Sequence, residues 1–578
     1  MRTRATVVIG AIAASVAACG GPRRGSTNAP ASAAAPASDV RVDVAINTRY
    51  EVVFDVPERT VEPDDVRIDA AITSPSGSVI RTGGFPFHGR FKVRFTPREP
   101  GAHRIVVAAD GGHGMREVAR TTIVATPSAA PGFVRVDRAR PHRLVRDDGA
   151  TVFVLGENRI NVYDPTWNHE KVDIPTYLQR MASYGMSTIR VFLFADCESE
   201  TTPGGYQIGC LEKGIGRFDE TTADAIDTLF DAAEMSGIDV VLVANAIGFT
   251  PAPETWRSWD DNPYSAARGG PASSPVEFFR DARFHPHAAR KLRYIADRWA
   301  SSPRLLAIDL LNEPEWDGPI GERTWIGWAE RMSRAWRAAD PYGHLVTAGP
   351  VGLHWNLEGD ERPWYASGSN DLVQWHLYGK EFYDPHALAV EMARKVSETW
   401  GFGKPVVCGE FAYGGEDKAS YDHTHDGIWS LLFSGAGALA HTAPPFELDS
   451  DEPMTPERGA HFRVLADLLR SFGPKTPLVP SSDVAIDRRN ARVLSLVAEG
   501  RGARALWVLD ARETYGSEVV GAHVRMPAPP RGHWTATWLD DATGRTLATS
   551  ETESSGTGEI ELAVPAFRRH VAARLVER

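Results

Sequence analysis

The chain runs to 578 residues, and its 42% hydrophobic and 24% charged residues are the composition of a globular protein, long enough for about two to four domains. Its formal charge of −12 excludes a nucleic-acid partner, whose phosphates need a basic face, and is indifferent to an uncharged substrate. Four cysteines are few, so no disulfide framework organises the fold.

Met1-Arg2-Thr3-Arg4 is basic, and the run ATVVIGAIAASVAA that follows is too short to cross a bilayer as a mature helix. The run ends in Val16-Ala17-Ala18-Cys19-Gly20, which resembles the lipobox of bacterial lipoproteins. That resemblance implies that residues 1–18 are a signal peptide, with cleavage before Cys19 and a lipid on its sulfur. The protein is then expected to be exported and membrane-anchored through Cys19, rather than spanning the membrane. Gly20 is not the aspartate that commonly retains such proteins at an inner membrane, so an outer-membrane or cell-surface site is expected. An ordinary secretory signal is the alternative. Residues 19–39, mostly Gly, Pro, Ala and Ser, read as a flexible tether.

Between 40 and 127 lie short β-type runs such as YEVVFDV, VRIDAAIT and HRIVVAAD, separated by turn residues that include Ser76-Gly77 and Pro100-Gly101. This spacing, without helical periods, predicts an antiparallel β-sandwich. From 131 to 475 the pattern becomes strand, helix, strand, helix. Strands are predicted near 151–157, 187–194, 238–245, 305–312, 345–351, 372–378, 405–411 and 437–442. Helical faces lie between them, such as Ile226, Leu229, Phe230 and Ala233, or Leu292, Ile295, Ala296 and Trp299. Eight such units predict an α/β fold, a (β/α)8 TIM barrel. An open doubly wound sheet would want a Gly-rich turn that VFVLGENRINVY does not supply. From 480 to 578 short strands return and predict a C-terminal antiparallel β-sandwich, with Trp507, Trp534 and Trp538 as core.

The stretch LLAIDLLNEPEW, 305–316, opens as a strand buried on both faces and breaks at Asn312, Glu313 and Pro314. A carboxylate at the end of an apolar strand, stopped by proline, projects from the rim of a sheet. PVVCGEF repeats the pattern and ends in Glu410 and Phe411. Two carboxyl groups on two parallel strands are the parts needed to hydrolyse a glycosidic bond. The C-terminal strand ends of a barrel carry its chemistry, and here they add Asn158, Arg190, Asn245, His354, Trp375, His376 and Tyr378. Trp316, Trp355, Trp364, Trp375, Trp256 and Trp259 are candidates to face a sugar, whereas Trp325, Trp328 and Trp336 read as packing.

This set resembles clan A retaining glycoside hydrolases, especially the family 5, cellulase-like group. The matching positions are the Asn-Glu-Pro after strand four, the His-x-Tyr on strand six, the glutamate ending strand seven and the arginine on strand two. The resemblance covers roughly 133–475, and the flanking β-domains look like those that accompany such barrels. It implies a retaining O-glycoside hydrolase acting on β-linked poly- or oligosaccharides, with Glu313 as acid/base, Glu410 as nucleophile and no cofactor or metal. Arg190 and Tyr378 would then keep Glu410 ionised, His376 would sit within reach of Glu313, and Asn312 would bond the sugar 2-hydroxyl. The two carboxyl groups should lie about 5–5.5 Å apart. One departure is the end of strand eight, which reads ALAHTAPPF, with His441 where the family often has tryptophan.

Two rivals remain. Asp422, His423, His425 and Asp426 are a possible divalent-metal set on the catalytic face, or else the solvated start of helix seven. A non-catalytic, polysaccharide-binding surface lipoprotein is the other. Cys197 and Cys210 fall in one loop and read equally as a disulfide or two thiols, and Cys408 reads as a small apolar filler.

Overall fold

The computed structural model describes residues 6–8, 42–159, 173–194, 210–246, 249, 259–314, 320–350, 360–378, 385–411, 422–441, 456–512 and 516–578. Cys19, the tether, Cys197, Trp256, Trp316, His354 and Trp355 lie outside these. Two compact units divide the chain: residues 1–130 with Tyr294–Ser301, and Pro131–Arg293 with Ser302–Arg578.

The first unit holds a five-stranded sheet of Val42–Ala45, Arg116–Thr126, Gly101–Asp110, Arg67–Thr73 and Val79–Thr82. A second sheet joins Tyr50–Phe54, Arg90–Phe95 and Phe85–Phe87, with Thr6–Val8 running parallel beside Tyr50–Phe54. Alternate residues such as Ile68, Ala70 and Ile72 enter one buried cluster with Ile105, Val107, Val52, Phe91 and Val93. The two-residue period of the sequence brings one face of each strand to that core.

In the second unit eight parallel strands form a nearly closed barrel. They are β1 (Leu155–Arg159), β2 (Thr188–Phe194), β3 (Asp239–Ala246), β4 (Leu305–Asn312), β5 (Leu345–Gly349), β6 (Val373–Leu377), β7 (Val406–Phe411) and β8 (Gly437–His441). Their order is β5-β4-β3-β2-β1-β8-β7-β6. Between β5 and β6 the joint is made just before the strands run level, where Asp371 N donates to Val346 O at 2.8 Å and Val346 N to the Asp371 carboxylate at 2.9 Å. The helices of this part of the chain include α1 (Ile174–Ser183), α2 (Glu220–Ser236), α3 (His285–Trp299, of which the residues from Tyr294 belong to the first unit), α4 (Glu322–Ala339), α5 (Pro385–Thr399), α6 (Asp422–Phe433) and α7 (Pro456–Arg470). Asp219 caps the start of α2 by accepting from Thr222 N, and Gly237, at φ 77°, ends it in the left-handed region that favours glycine.

The first barrel strand differs from expectation. It starts at Leu155, and Thr151–Val152 instead pairs antiparallel with Leu144–Arg146, which pairs with Val134–Val136. The run TVFVLG is apolar throughout, so nothing in it marks where one sheet yields to the next. Asn158 therefore sits within β1 rather than after it. Val134 and Leu144 share a cluster with Val241, Ala307, Val407 and Leu439, which plugs the N-terminal end of the barrel with apolar side chains. Polar residues are left for the other end.

Six antiparallel strands follow the barrel, in the order Leu478–Ser481, Ala491–Ala498, Arg504–Asp510, His570–Glu577, Gly532–Leu539 and Thr546–Ser554. A three-stranded sheet of Ala485–Ile486, His523–Pro527 and Glu559–Ala563 accompanies them. Trp507, Trp534 and Trp538 are buried in this region, and Trp325, Trp328 and Trp336 are buried on α4. Among the described residues no helix is long and apolar enough to cross a membrane.

Candidate active site

β4 ends at Asn312, and Glu313 then takes a left-handed backbone conformation, φ 44°, that few non-glycine residues adopt. Its amide donates to Gly349 O on β5 at 2.8 Å, so the turn is held while the side chain swings over the barrel mouth. Backbone strain of this kind persists where the surroundings over-determine it, commonly at working sites. Three strands away, β7 carries Glu410. Pairing between β6 and β7 shifts register between Trp375 and His376, leaving Gly409 as an extra residue ahead of Glu410. Such bulges re-aim the side chains next to them.

The two carboxylates meet. One oxygen of Glu313, one of Glu410 and a ring nitrogen of His376 all lie within 4.8 Å of one another. His376 Nδ1 is 2.6 Å from Glu313 Oε1 and 3.7 Å from Glu410 Oε1. Glu410 accepts from Arg190 Nη1 at 2.5 Å and from the Tyr378 hydroxyl at 2.7 Å. The guanidinium, fully buried, also donates to Asn158 Oδ1 at 2.9 Å, Asn312 Oδ1 at 2.7 Å and Asp309 Oδ2 at 2.8 Å. Asn158 Nδ2 and His441 Nδ1 are 2.7 Å apart, and His441 lies 3.8 Å from Glu410 Oε2.

These surroundings push the two acids in opposite directions. Burial raises Glu313, and the charge of Glu410 beside it raises it further. Burial alone would raise Glu410 too, but His376, Arg190 and His441 and the Tyr378 hydrogen bond pull it down to about 2. One carboxyl is thus set to hold a proton and the other to stay ionised, the division of labour that paired-acid hydrolysis requires. Burial and the Glu410 charge raise the Tyr378 phenol well above its usual value, so it remains a donor.

Arg190, Asn158, Asn312, His376 and Tyr378 are therefore brought together with Glu313 and Glu410. Trp375 is not. Strand alternation that sends His376 inward turns Trp375 outward, buried, with Lys395 of α5 5.9 Å over its ring. Trp364 and Trp259 are also packing residues, against Trp325 and against Phe249 and Phe278. Asn245 is engaged by Lys291 Nζ at 3.1 Å and donates to Leu310 O at 3.0 Å. The run from Asp422 does open α6, but His423, His425 and Asp426 are buried there rather than solvated. Cys210 is disulfide-bonded, and Cys408 is free and buried.

Two residues of the network carried a sequence signal that went unread. Asp309 interrupts the apolar run of β4, and Gln374 that of β6. Gln374 Nε2 donates to Asp309 Oδ2 at 2.7 Å, so the pair supports Arg190 from below. Gly349 makes room for them: a Cβ there would fall 2.1 Å from Gln374 Nε2 and 2.9 Å from His376 Nε2. Gly349→Ala is expected to displace both side chains and lower kcat on the order of 10²-fold, the cost of misplacing a reacting group by about an ångström. Steady-state kinetics beside a melting curve checks it, since the fold should survive.

No protein-family model matches the sequence. A probable mannan endo-1,4-beta-mannosidase F from Aspergillus oryzae is 27% identical over 234 residues, 39% of this chain and 46% of the relative. Mannan endo-1,4-beta-mannosidase A from Podospora anserina is 25% identical over 330 residues, 50% of this chain and 78% of the relative. The chain thus spans about half the length of the first of these. Among solved structures, a candidate glycoside hydrolase from Bacteroides vulgatus superposes with a TM-score of 0.63 at 15% identity, over 93% of this chain and all of the other. A glycoside hydrolase family 5 structure from the same organism gives 0.52 at 15% identity, over 77% of this chain and 94% of the other. The fold is that of the family 5 barrels. The likeness to clan A, family 5-like glycoside hydrolases extends from the strand-end residues to the relatives and the architecture.

Proposed function

We propose that the protein is a retaining β-glycoside hydrolase in which Glu410 is the nucleophile and Glu313 the acid/base. The observation that carries this is the facing carboxylate pair, in which one oxygen of Glu313 lies within 4.8 Å of one oxygen of Glu410 with His376 between them and the two proton affinities are driven apart. An inverting enzyme needs about 6.5–9.5 Å between its carboxyl groups to admit a water, whereas direct attack needs about 5–5.5 Å. Glu410 attacks the anomeric carbon as the leaving oxygen takes the proton from Glu313, giving a glycosyl ester on Glu410. Glu313, now ionised, takes a proton from water as that water attacks the same carbon and frees Glu410. Asn312 bonds the sugar 2-hydroxyl, a contact that strengthens as the transition state develops. The names of the relatives make β-1,4-linked mannan or manno-oligosaccharide the first substrate to try.

The test is hydrolysis of aryl β-glycosides and β-linked polysaccharides, mannan first, with the anomer of the first-formed product read by NMR. Retention supports the reading and inversion ends it. The pH profile follows from the two acids. Glu410, depressed to about 2, must be ionised, so activity should persist well below pH 4. Glu313, raised by burial and by Glu410, must hold its proton, so the alkaline limb belongs to Glu313. With an activated aryl leaving group that limb should vanish in Glu313→Gln, and its survival there would reassign the acid.

Export as a lipoprotein anchored through Cys19 is part of the same proposal, supported by the sequence around that residue. Cleavage there would remove Thr6–Val8 and leave Tyr50–Phe54 at a sheet edge, given the observed pairing. Expression in a bacterial host should give a membrane-bound protein whose N-terminal peptide carries diacylglycerol on Cys19. Cys19→Ala should release it, and an unmodified Met1 in the mature protein would refute the anchor.

A further inference from the structure

Beside the apolar plug at the N-terminal end of the barrel, and so at the opposite end from Glu313 and Glu410, lies a cavity of about 260 Å³. Val154, Val406, Val407, Leu432, Leu478 and Leu496 wall it, all of them buried. Arg143 lines it with Arg140 and Glu499, and the last two, 37% and 36% exposed, mark where it opens to solvent. We infer that this cavity binds an aliphatic carboxylate of medium chain length, its chain against the valines and leucines and its head group between Arg140 and Arg143.

Three features argue for it. The first is size and lining. An apolar cavity of about 150 Å³ takes up benzene, so this one has room for roughly ten carbon atoms. Its walls are drawn from the stretch leading into β1, from β7, from the end of α6 and from two strands of the C-terminal sheet. Gly435, at φ 90°, lets the turn after α6 press against them: a Cβ there would fall 2.6 Å from Pro480 Cγ and 2.8 Å from Trp400 Cη2. Burial lowers the His142 pKa, and its ring stacks on Trp400 at 3.9 Å, so it closes the wall without adding charge.

The second feature is an orphaned donor. Arg143 Nη1 donates to Asp137 at 3.1 Å and Nη2 to the Thr151 hydroxyl at 2.6 Å. Its Nε–H is buried and meets no acceptor among the described residues. A buried donor left unsatisfied is costly, and a carboxylate oxygen at this end of the cavity supplies the acceptor. Charge gives the third feature. The two guanidiniums of the lining face a single carboxylate there, Glu499, which pairs with Arg140. Asp137 engages Arg143 at 3.1 Å and Arg140 at 3.8 Å, but from outside the lining. Burial lowers the pKa of Arg143; Asp137 and Glu499 oppose that shift, and the charge of Arg140 adds to it. An anion held between the two guanidiniums relieves their repulsion and makes charge-assisted bonds to both.

The experiment titrates sodium octanoate into the full chain at pH 7.5 by isothermal calorimetry, with sodium butyrate and 1-octanol as controls. One octanoate per chain is expected, together with a Tm at saturation several degrees above that of the free protein. Butyrate, four methylenes shorter, should bind on the order of 100-fold more weakly, and octanol on the order of tenfold more weakly for want of charge-assisted bonds. The double variant Glu313→Gln/Glu410→Gln should bind octanoate as the parent does, which separates this cavity from the barrel mouth. Val152→Trp should fill the cavity and abolish binding. Should that variant fail to fold, Arg143→Met, in which octanoate should bind no better than octanol, and the three ligands on the unaltered chain decide. No saturable octanoate binding, butyrate or octanol binding as tightly as octanoate, octanoate kept by a folded Val152→Trp, or octanoate lost from the double variant would each overturn the site. Failure here leaves the hydrolase reading intact, because the cavity and the carboxylate pair share no residue.

Discussion

Glu410→Gln is expected to reduce kcat on an activated aryl β-glycoside by on the order of 10⁴-fold or more, because the amide cannot form the glycosyl ester. The substitution is nearly isosteric, so the Tyr378 hydroxyl and Arg190 keep a partner and the melting temperature should change little. Glu313→Gln is expected to behave differently. Losing a general acid costs about 10²–10⁴-fold, and an activated leaving group that needs no proton should recover most of the first step while hydrolysis of the ester stays slow. A burst of aryl alcohol followed by a slow steady state in Glu313→Gln, and no burst in Glu410→Gln, assigns each role. Glu410→Gln should also lower the pKa of Glu313, since the Glu410 charge is one of the two causes raising it. Activity within tenfold of the parent in Glu410→Gln would dismiss the nucleophile.

Arg190→Met is expected to destabilise the second unit by about 3–5 kcal/mol, the usual cost of deleting one partner of a buried charged network. The guanidinium donates to Asn158, Asp309, Asn312 and Glu410 from a position with no solvent exposure. Removing it leaves the Asp309 and Glu410 carboxylates without their buried cation. Arg190→Lys should recover only part of the loss, because a single ammonium cannot reach four acceptors around a planar fork. Denaturant midpoints of the three proteins measure this. A change under about 1 kcal/mol for Arg190→Met would show that the network is not the support described.

The acids were legible because each interrupts a strand that is otherwise apolar on both faces. A glutamate followed by proline after LLAIDLLN, or closing VVCGE, has no place to go but the rim. Tyr378 was legible for the same reason, as a polar group just past a strand end, whereas Arg190 lies inside β2 and stands out as the one charge in TIRVFLF. Trp375 and His376 show the limit. They are neighbours, only one can face the mouth, and a strand buried at every position, Val373–Leu377, has no polar–apolar alternation to say which. Asp309 and Gln374 sit deeper, where a polar residue in an apolar strand signals a buried partner without naming it. DHTHD reads as a solvated helix start because nothing nearby in the chain covers it. Asp541, in the turn after Gly532–Leu539, and His570, which opens His570–Glu577, do cover it, and both lie more than a hundred positions further along the chain.

By itself the sequence determined the element types, the eightfold repeat and the pair of strand-end glutamates, because hydrophobic periodicity and chain-stopping residues act over a few positions. Tertiary structure alone decided which neighbours of those glutamates face them, how far apart the carboxyl groups stand and which carries the proton. Distances across a barrel and the fields of buried charges depend on residues separated by tens to hundreds of positions, and no local pattern encodes them.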